Sequence, residues 1–167
     1  DPIMLAPIGG LQNFDPEGGV TVAKAAVDFG TIIVVSSATM PTLEETAAAT
    51  ERAKIYQLYI RGDWEWIKDM IDREKQAGYQ GFCITVDSAV YSRRERPMIS
   101  GWSIDSTRNP QNREWQATVT WDRIARLPDS AQQPFLLHRP CVLLGTRVRL
   151  RVPPLLTPQP TPPPLPP

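Results

Sequence analysis

"GFCITVDSAVYSRRER", residues 81–96, is the stretch on which the fold turns. An apolar run, Gly81 to Ile84, closes on Thr85-Val86-Asp87 and passes through a short loop to Arg93 and Arg94. A strand apolar at every position is buried on both faces, as strands of parallel sheets are. A polar exit from such a strand is where α/β proteins place their chemistry. Three earlier stretches read the same way. Residues 3–8, IMLAPI, end at Gly9-Gly10; residues 31–37 read TIIVVSS; residues 53–60 read AKIYQLYI. Each enters apolar and leaves polar.

Helical signals lie between these runs. Asp15-Pro16-Glu17 offers an N-cap, a proline at the first helical position and an acid in the first turn. Val20, Ala23, Ala26 and Val27 follow on one face, with Gly30 as a stop. Thr42 and Glu45 have capping-box spacing, predicting a helix of about ten residues. Asp63 precedes a helix with Trp66, Ile67, Met70 and Ile71 on one face, closed by Gly78. Regular βα alternation predicts a parallel sheet, open or closed into a barrel. No G-x-G-x-x-G or Walker loop follows the first strand, so a barrel half is the better fit. Barrel sites gather at the carboxyl ends of the strands. The residues there are Pro7, Ile8, Gly9, Ser36, Ser37, Gln57, Tyr59, Thr85 and Asp87; Gln57 and Tyr59 alternate with Leu58 and share a side.

The chain has 167 residues, one domain by length. Lys+Arg and Asp+Glu are both 18, a balance that argues against nucleic acid or an anionic membrane as the main partner. No apolar run is long enough to span a bilayer, and the chain opens on Asp1-Pro2 rather than on a signal-peptide pattern. The expectation is a soluble, cytoplasmic protein. Cys83 and Cys141 form no disulfide framework and no metal spacing, and Cys83 reads as a small core residue. Of 18 prolines, 12 fall between Pro128 and Pro167. The chain therefore divides into residues 1–127, which carry the βα pattern, and residues 128–167, read as a disordered, proline-rich tail. The end of that tail, TPQPTPPPLPP, suits a polyproline II ligand for an SH3 or WW groove, and equally suits a disordered segment.

Taken in order, "APIGG", "DPEG", "VVSSAT", "TLEE", "YQLYI", "TVD" with "SRRER", and "TVTWDRIARL" resemble the FMN-dependent 2-hydroxy-acid oxidase and dehydrogenase family, which includes glycolate oxidase, lactate oxidase and mandelate dehydrogenase. The resemblance covers residues 3–127. It implies an incomplete (β/α)8 TIM barrel, about its first four βα units, with FMN at the strand ends. By resemblance, Pro7, Ile8 and Gly9 line the flavin ring, and Ser36, Gln57 and Thr85 hydrogen-bond its edge. Tyr59 contacts the substrate as the candidate catalytic residue, and Arg94 pairs with the carboxylate of a small 2-hydroxy acid, for which a guanidinium fork is suited. Gly9 and Ala38 stand where glycolate-type members carry larger residues, so a larger or aromatic acid is expected. Full-length relatives are commonly tetramers, which leaves a homo-oligomer open.

The resemblance also implies groups that the sequence lacks: a base in a His-Gly-Gly-Arg-Gln motif, a lysine ending strand five, and a glycine-rich phosphate site. The one histidine, His138, lies in LLHRPC, and no lysine follows Lys75. The change of character after Leu127 is what translation in a shifted frame or through an intron would produce. The expectations are a chain without turnover of its own, with the first and fourth strands as open edges, or a non-catalytic remnant acting through its tail. The 97–118 segment resembles the family's mobile loop and is expected to be poorly ordered.

Overall fold

The computed structural model describes residues 3–88, 95–101, 110–131 and 134–138. Five strands form one sheet in the order β1-β2-β3-β4-β5: Met4–Leu5, Ile32–Ser36, Lys54–Leu58, Gly81–Thr85 and Phe135–His138. Every neighbouring pair is parallel. Sequence-adjacent parallel strands require crossovers, and right-handed crossovers put their helices on one face. Helices α1 (Gly19–Phe29), α2 (Leu43–Ala48), α3 (Trp64–Gln76) and α6 (Trp121–Ala131) contribute to one core with Ile33, Val35, Tyr56, Leu58, Phe82 and Ile84. Two further helices, α4 (Glu95–Ser100) and α5 (Pro110–Ala117), lie in the segment expected to be poorly ordered. Parallel strands in sequential order with their helices on one face are the arrangement an arc of a (β/α)8 barrel has.

The period of two along each strand divides the sheet. Ile33, Val35, Tyr56, Leu58, Phe82 and Ile84 face the helices, while Val34, Ser36, Ile55, Gln57, Cys83 and Thr85 alternate onto the opposite face. α3 shows why the helices form where they do. Asp63 accepts the N–H of Trp66 at 2.9 Å, which caps the first turn. Ile67, Met70 and Ile71 are then buried at helical spacing. Burying each contributes roughly 1.5–3 kcal/mol. Gly78, at φ 78°, ends the run where a β-carbon would strain the turn. Trp64, Trp66 and Trp115 pack against the core as partly buried hydrophobics, the packing role a tryptophan ordinarily takes.

Several expectations need correction. β1 has two residues rather than six. α1 begins at Gly19, because Asp15 is used in a preceding turn: its carboxylate accepts the N–H of Glu17 and the hydroxyl of Thr21. Val27, expected on the apolar face, is 41% exposed. The Thr42–Glu45 capping box is present, but α2 runs six residues, not ten. The compositional boundary at 127 falls inside α6, and β5 lies within the segment expected to be disordered. Because β5 pairs with β4, β4 is an interior strand rather than an edge. Four backbone positions suffice for a ladder, so the proline count around 135–138 concealed a strand. No helix among the described residues is long and apolar enough to cross a membrane. The polyproline run lies outside the described residues.

Candidate functional site

β2 ends on Ser36, β4 ends on Thr85, and Gln57 lies between them near the end of β3. The register sets Ser36 beside Gln57 and Gln57 beside Cys83, so the three polar side chains share one face. The Ser36 hydroxyl donates to Gln57 Oε1 at 2.7 Å, and Gln57 Nε2 donates to Thr85 Oγ1 at 2.7 Å. Ser36 is 3% exposed, Gln57 1% and Thr85 3%. An amide bridges two hydroxyls well because it has an acceptor end and a donor end. Buried polar groups persist in a fold when they are paired in this way. Below the relay the same face is apolar. Cys83 sits there with its thiol pushed up to about 11 by burial, so it is no nucleophile at neutral pH.

The turn after β2 ties neighbouring loops to the relay. Ser37 donates its N–H to the Gln57 carbonyl at 2.8 Å, and its hydroxyl accepts the N–H of Tyr59 at 2.9 Å. The Ala38 carbonyl accepts the N–H of Gly10 at 2.9 Å. The Thr39 hydroxyl donates to the Ile8 carbonyl at 2.6 Å. Pro7, Ile8 and Gly9 thus form a shelf after β1, held against the β2 turn, with Ile8 55% exposed. A β-carbon at Gly9 would lie 3.0 Å from Cβ of Ala38, so only glycine fits without displacement.

The structure therefore brings together Pro7, Ile8, Gly9, Ser36, Gln57, Thr85 and the backbone of Tyr59, which is half-buried just beyond β3. Asp87 is exposed past β4. Arg94 lies outside the described residues. His138 ends β5 at the register position of Thr85. Sequence reasoning placed Ser37 at a strand end without a role and passed over Thr39. The available signal was the run of small hydroxyl residues, Ser36, Ser37 and Thr39, directly after an apolar strand.

A cavity of about 580 Å³ lies at the opposite, amino-terminal end of the sheet, lined by Glu44, Thr50, Lys54, Arg73 and Gln80 among others. Three of its charges, Glu44, Lys54 and Arg73, are already engaged. Lys54 Nζ donates to the Thr50 carbonyl at 3.1 Å, with burial lowering its pKa, and Arg73 pairs with Glu44 at 2.8 Å. Lys54 there meets the carbonyl-rich end of α2, a structural role. The candidate site is the carboxyl edge.

A family model described as FMN-dependent dehydrogenase matches residues 1–122. An L-lactate dehydrogenase of Vibrio parahaemolyticus is 38% identical over 102 residues, 61% of this chain and 27% of the relative. Among solved structures, a lactate oxidase from Pediococcus acidilactici superposes with a TM-score of 0.73 at 22% identity, covering 81% of this chain and 40% of that chain. A mandelate oxidase crystallised with (S)-2-phenylpropionate has a TM-score of 0.69 at 28% identity, covering 80% of this chain and 40% of its own. The chain spans less than a third of the length of the curated relatives it matches, between 26% and 30%.

Proposed function

The chain belongs to the FMN-dependent dehydrogenase family, and from that premise we propose that its strand ends hold the ring of FMN for oxidation of a 2-hydroxy acid to a 2-oxo acid. The observation that carries this reading is the buried relay Ser36–Gln57–Thr85 beside the Pro7–Gly9 shelf, in which Gly9 has no side chain. A flavin's pyrimidine edge alternates carbonyl acceptors with an N–H donor. Gln57 has a second N–H and a second lone pair beyond its two relay bonds, so its amide suits that edge. The Pro7–Gly9 shelf suits a flat ring, and a β-carbon at residue 9 would intrude on its junction with Ala38. When bound, FMN accepts the two electrons released as the substrate's carbinol becomes a carbonyl.

The remaining roles belong to the chain's own side chains. Tyr59, whose N–H is held by Ser37, offers a phenol to the substrate hydroxyl. Arg94 recognises the carboxylate by a paired, charge-assisted contact. Ala38, small where glycolate-type members carry a larger residue, leaves room for a substrate side chain, which favours a larger or aromatic acid over glycolate; the space a side chain at Gly9 would take is already filled by Ala38. The sequence has one histidine, His138, and no His-Gly-Gly-Arg-Gln string. On this reading the chain contributes ring and substrate binding and does not turn over by itself. A homo-oligomer, a cytoplasmic location and an SH3 or WW ligand role for the tail rest on the sequence alone.

The test is a titration of FMN fluorescence with purified chain. Saturable quenching that riboflavin reproduces supports ring binding at the strand ends, because riboflavin lacks the phosphate. Unquenched FMN at protein concentrations up to the millimolar range contradicts it.

A further inference from the structure

The shelf that would face the flavin ring contains Gly9 and Gly10 in succession. Two glycines give a backbone little conformational preference of its own, and Gly10 adopts φ 76°. Such a segment holds a direction only if something outside it supplies the restraint. Two bonds from the β2 turn do so: Thr39 Oγ1 to the Ile8 carbonyl at 2.6 Å, and the Gly10 N–H to the Ala38 carbonyl at 2.9 Å. The first acts on the Ile8–Gly9 peptide. In a trans peptide the carbonyl and the N–H point in opposite directions, so fixing one fixes the other. The Gly9 N–H donates to no acceptor among the described residues. Thr39 is 8% exposed, so water competes weakly for its hydroxyl.

We propose that Thr39 is a positioning residue of the flavin shelf: its hydroxyl pins the Ile8 carbonyl and thereby holds the Gly9 N–H in one orientation, ready for an acceptor on the bound ring. The inference rests on the FMN reading for its ligand, but the pin itself is a property of the flavin-free chain. Without it, the glycine pair allows the peptide to rotate, and each binding event must order it again.

Three variants test this. Thr39→Val keeps the shape and removes the donor. Thr39→Ser keeps the donor and removes a methyl. Thr39→Ala removes both and serves if Thr39→Val does not fold. In the flavin-free chain, the NMR order parameter of the Gly9 N–H should fall in Thr39→Val relative to wild type and return towards wild type in Thr39→Ser. The FMN dissociation constant should rise about tenfold in Thr39→Val, the worth of one hydrogen bond, and by less than about threefold in Thr39→Ser. A residue that merely supports the fold would lower the unfolding midpoint without changing the Gly9 amide. A wild-type Gly9 order parameter in Thr39→Val or Thr39→Ala, or no recovery in Thr39→Ser, overturns the proposal. If the amide responds but wild type binds no FMN, the pin stands and the FMN reading falls.

Discussion

Replacing Gln57 with leucine removes the relay while nearly preserving side-chain volume. Gln57 is 1% exposed and makes two 2.7 Å bonds, accepting from Ser36 and donating to Thr85. Each neutral bond is worth about 0.5–1.5 kcal/mol net, and a buried hydroxyl left without its acceptor costs ~1–3 kcal/mol. Ser36 would be that hydroxyl, since its contact with the N–H of Ala38 at 3.3 Å uses its oxygen and gives its proton no acceptor. Leucine recovers part of the loss through apolar burial against Cys83 and Ile55. The net destabilisation should be about 2 kcal/mol, which lowers a urea midpoint by ~1 M. Flavin affinity should fall by more than the stability loss accounts for, because the amide that suits the ring edge is gone. The assay pairs urea unfolding of the flavin-free chain with an FMN titration under folding conditions. An unchanged urea midpoint would refute the relay as a structural bridge. A normal FMN dissociation constant would refute its assignment to the ring.

Gly9→Ala puts a β-carbon 3.0 Å from Cβ of Ala38, so one of the two must give by a few tenths of an ångström, and FMN affinity should fall about fivefold, or ~1 kcal/mol of overpacking. Adding Ala38→Gly should restore it, and a double-mutant cycle without coupling of about 1 kcal/mol would contradict the contact. Glu74 is fully buried on α3, and desolvation raises its carboxyl from 4.5 to about 8. The folded chain then holds a proton that the unfolded chain releases, so this group's contribution to stability is lost as pH rises from about 4.5 towards 8, at most ~5 kcal/mol in all. Glu74→Gln should therefore stabilise the chain by ~1–3 kcal/mol at pH 8 and little at pH 4; a difference independent of pH in urea unfolding would count against this. Thr42→Ala breaks the capping box of α2 and should cost about 1 kcal/mol, read as a lower unfolding midpoint.

What could be read without coordinates was whatever repeats locally. β4, α3 and their caps follow from period, capping residues and a glycine stop, and each lies within a residue or two of its expected position. The relay residues were legible because a polar side chain closing an apolar strand adds little to packing and must find a polar partner. β5 was not legible, since three apolar residues and a histidine among prolines carry no period, and only the free ladder of β4 identifies them as a strand. α1 was misplaced for a related reason. Asp15 looks like a cap in sequence, but its carboxylate is shared between a turn N–H and the Thr21 hydroxyl. Ser37 and Thr39 act through backbone groups of distant loops, at separations of 22 and 31 residues, and no local pattern encodes such partners.

The central claim is that the carboxyl edge of this sheet receives a flavin. The most direct measurement is the visible absorption spectrum of the purified chain titrated with FMN and then, anaerobically, with a 2-hydroxy acid such as mandelate. The expected result is a saturable change in the flavin bands that Gln57→Leu weakens, a further perturbation by the acid, and no bleaching. A spectrum identical to free FMN throughout would contradict the site. Bleaching by the acid would show that turnover proceeds without the His-Gly-Gly-Arg-Gln base, and the division of roles between this chain and the absent groups would be wrong.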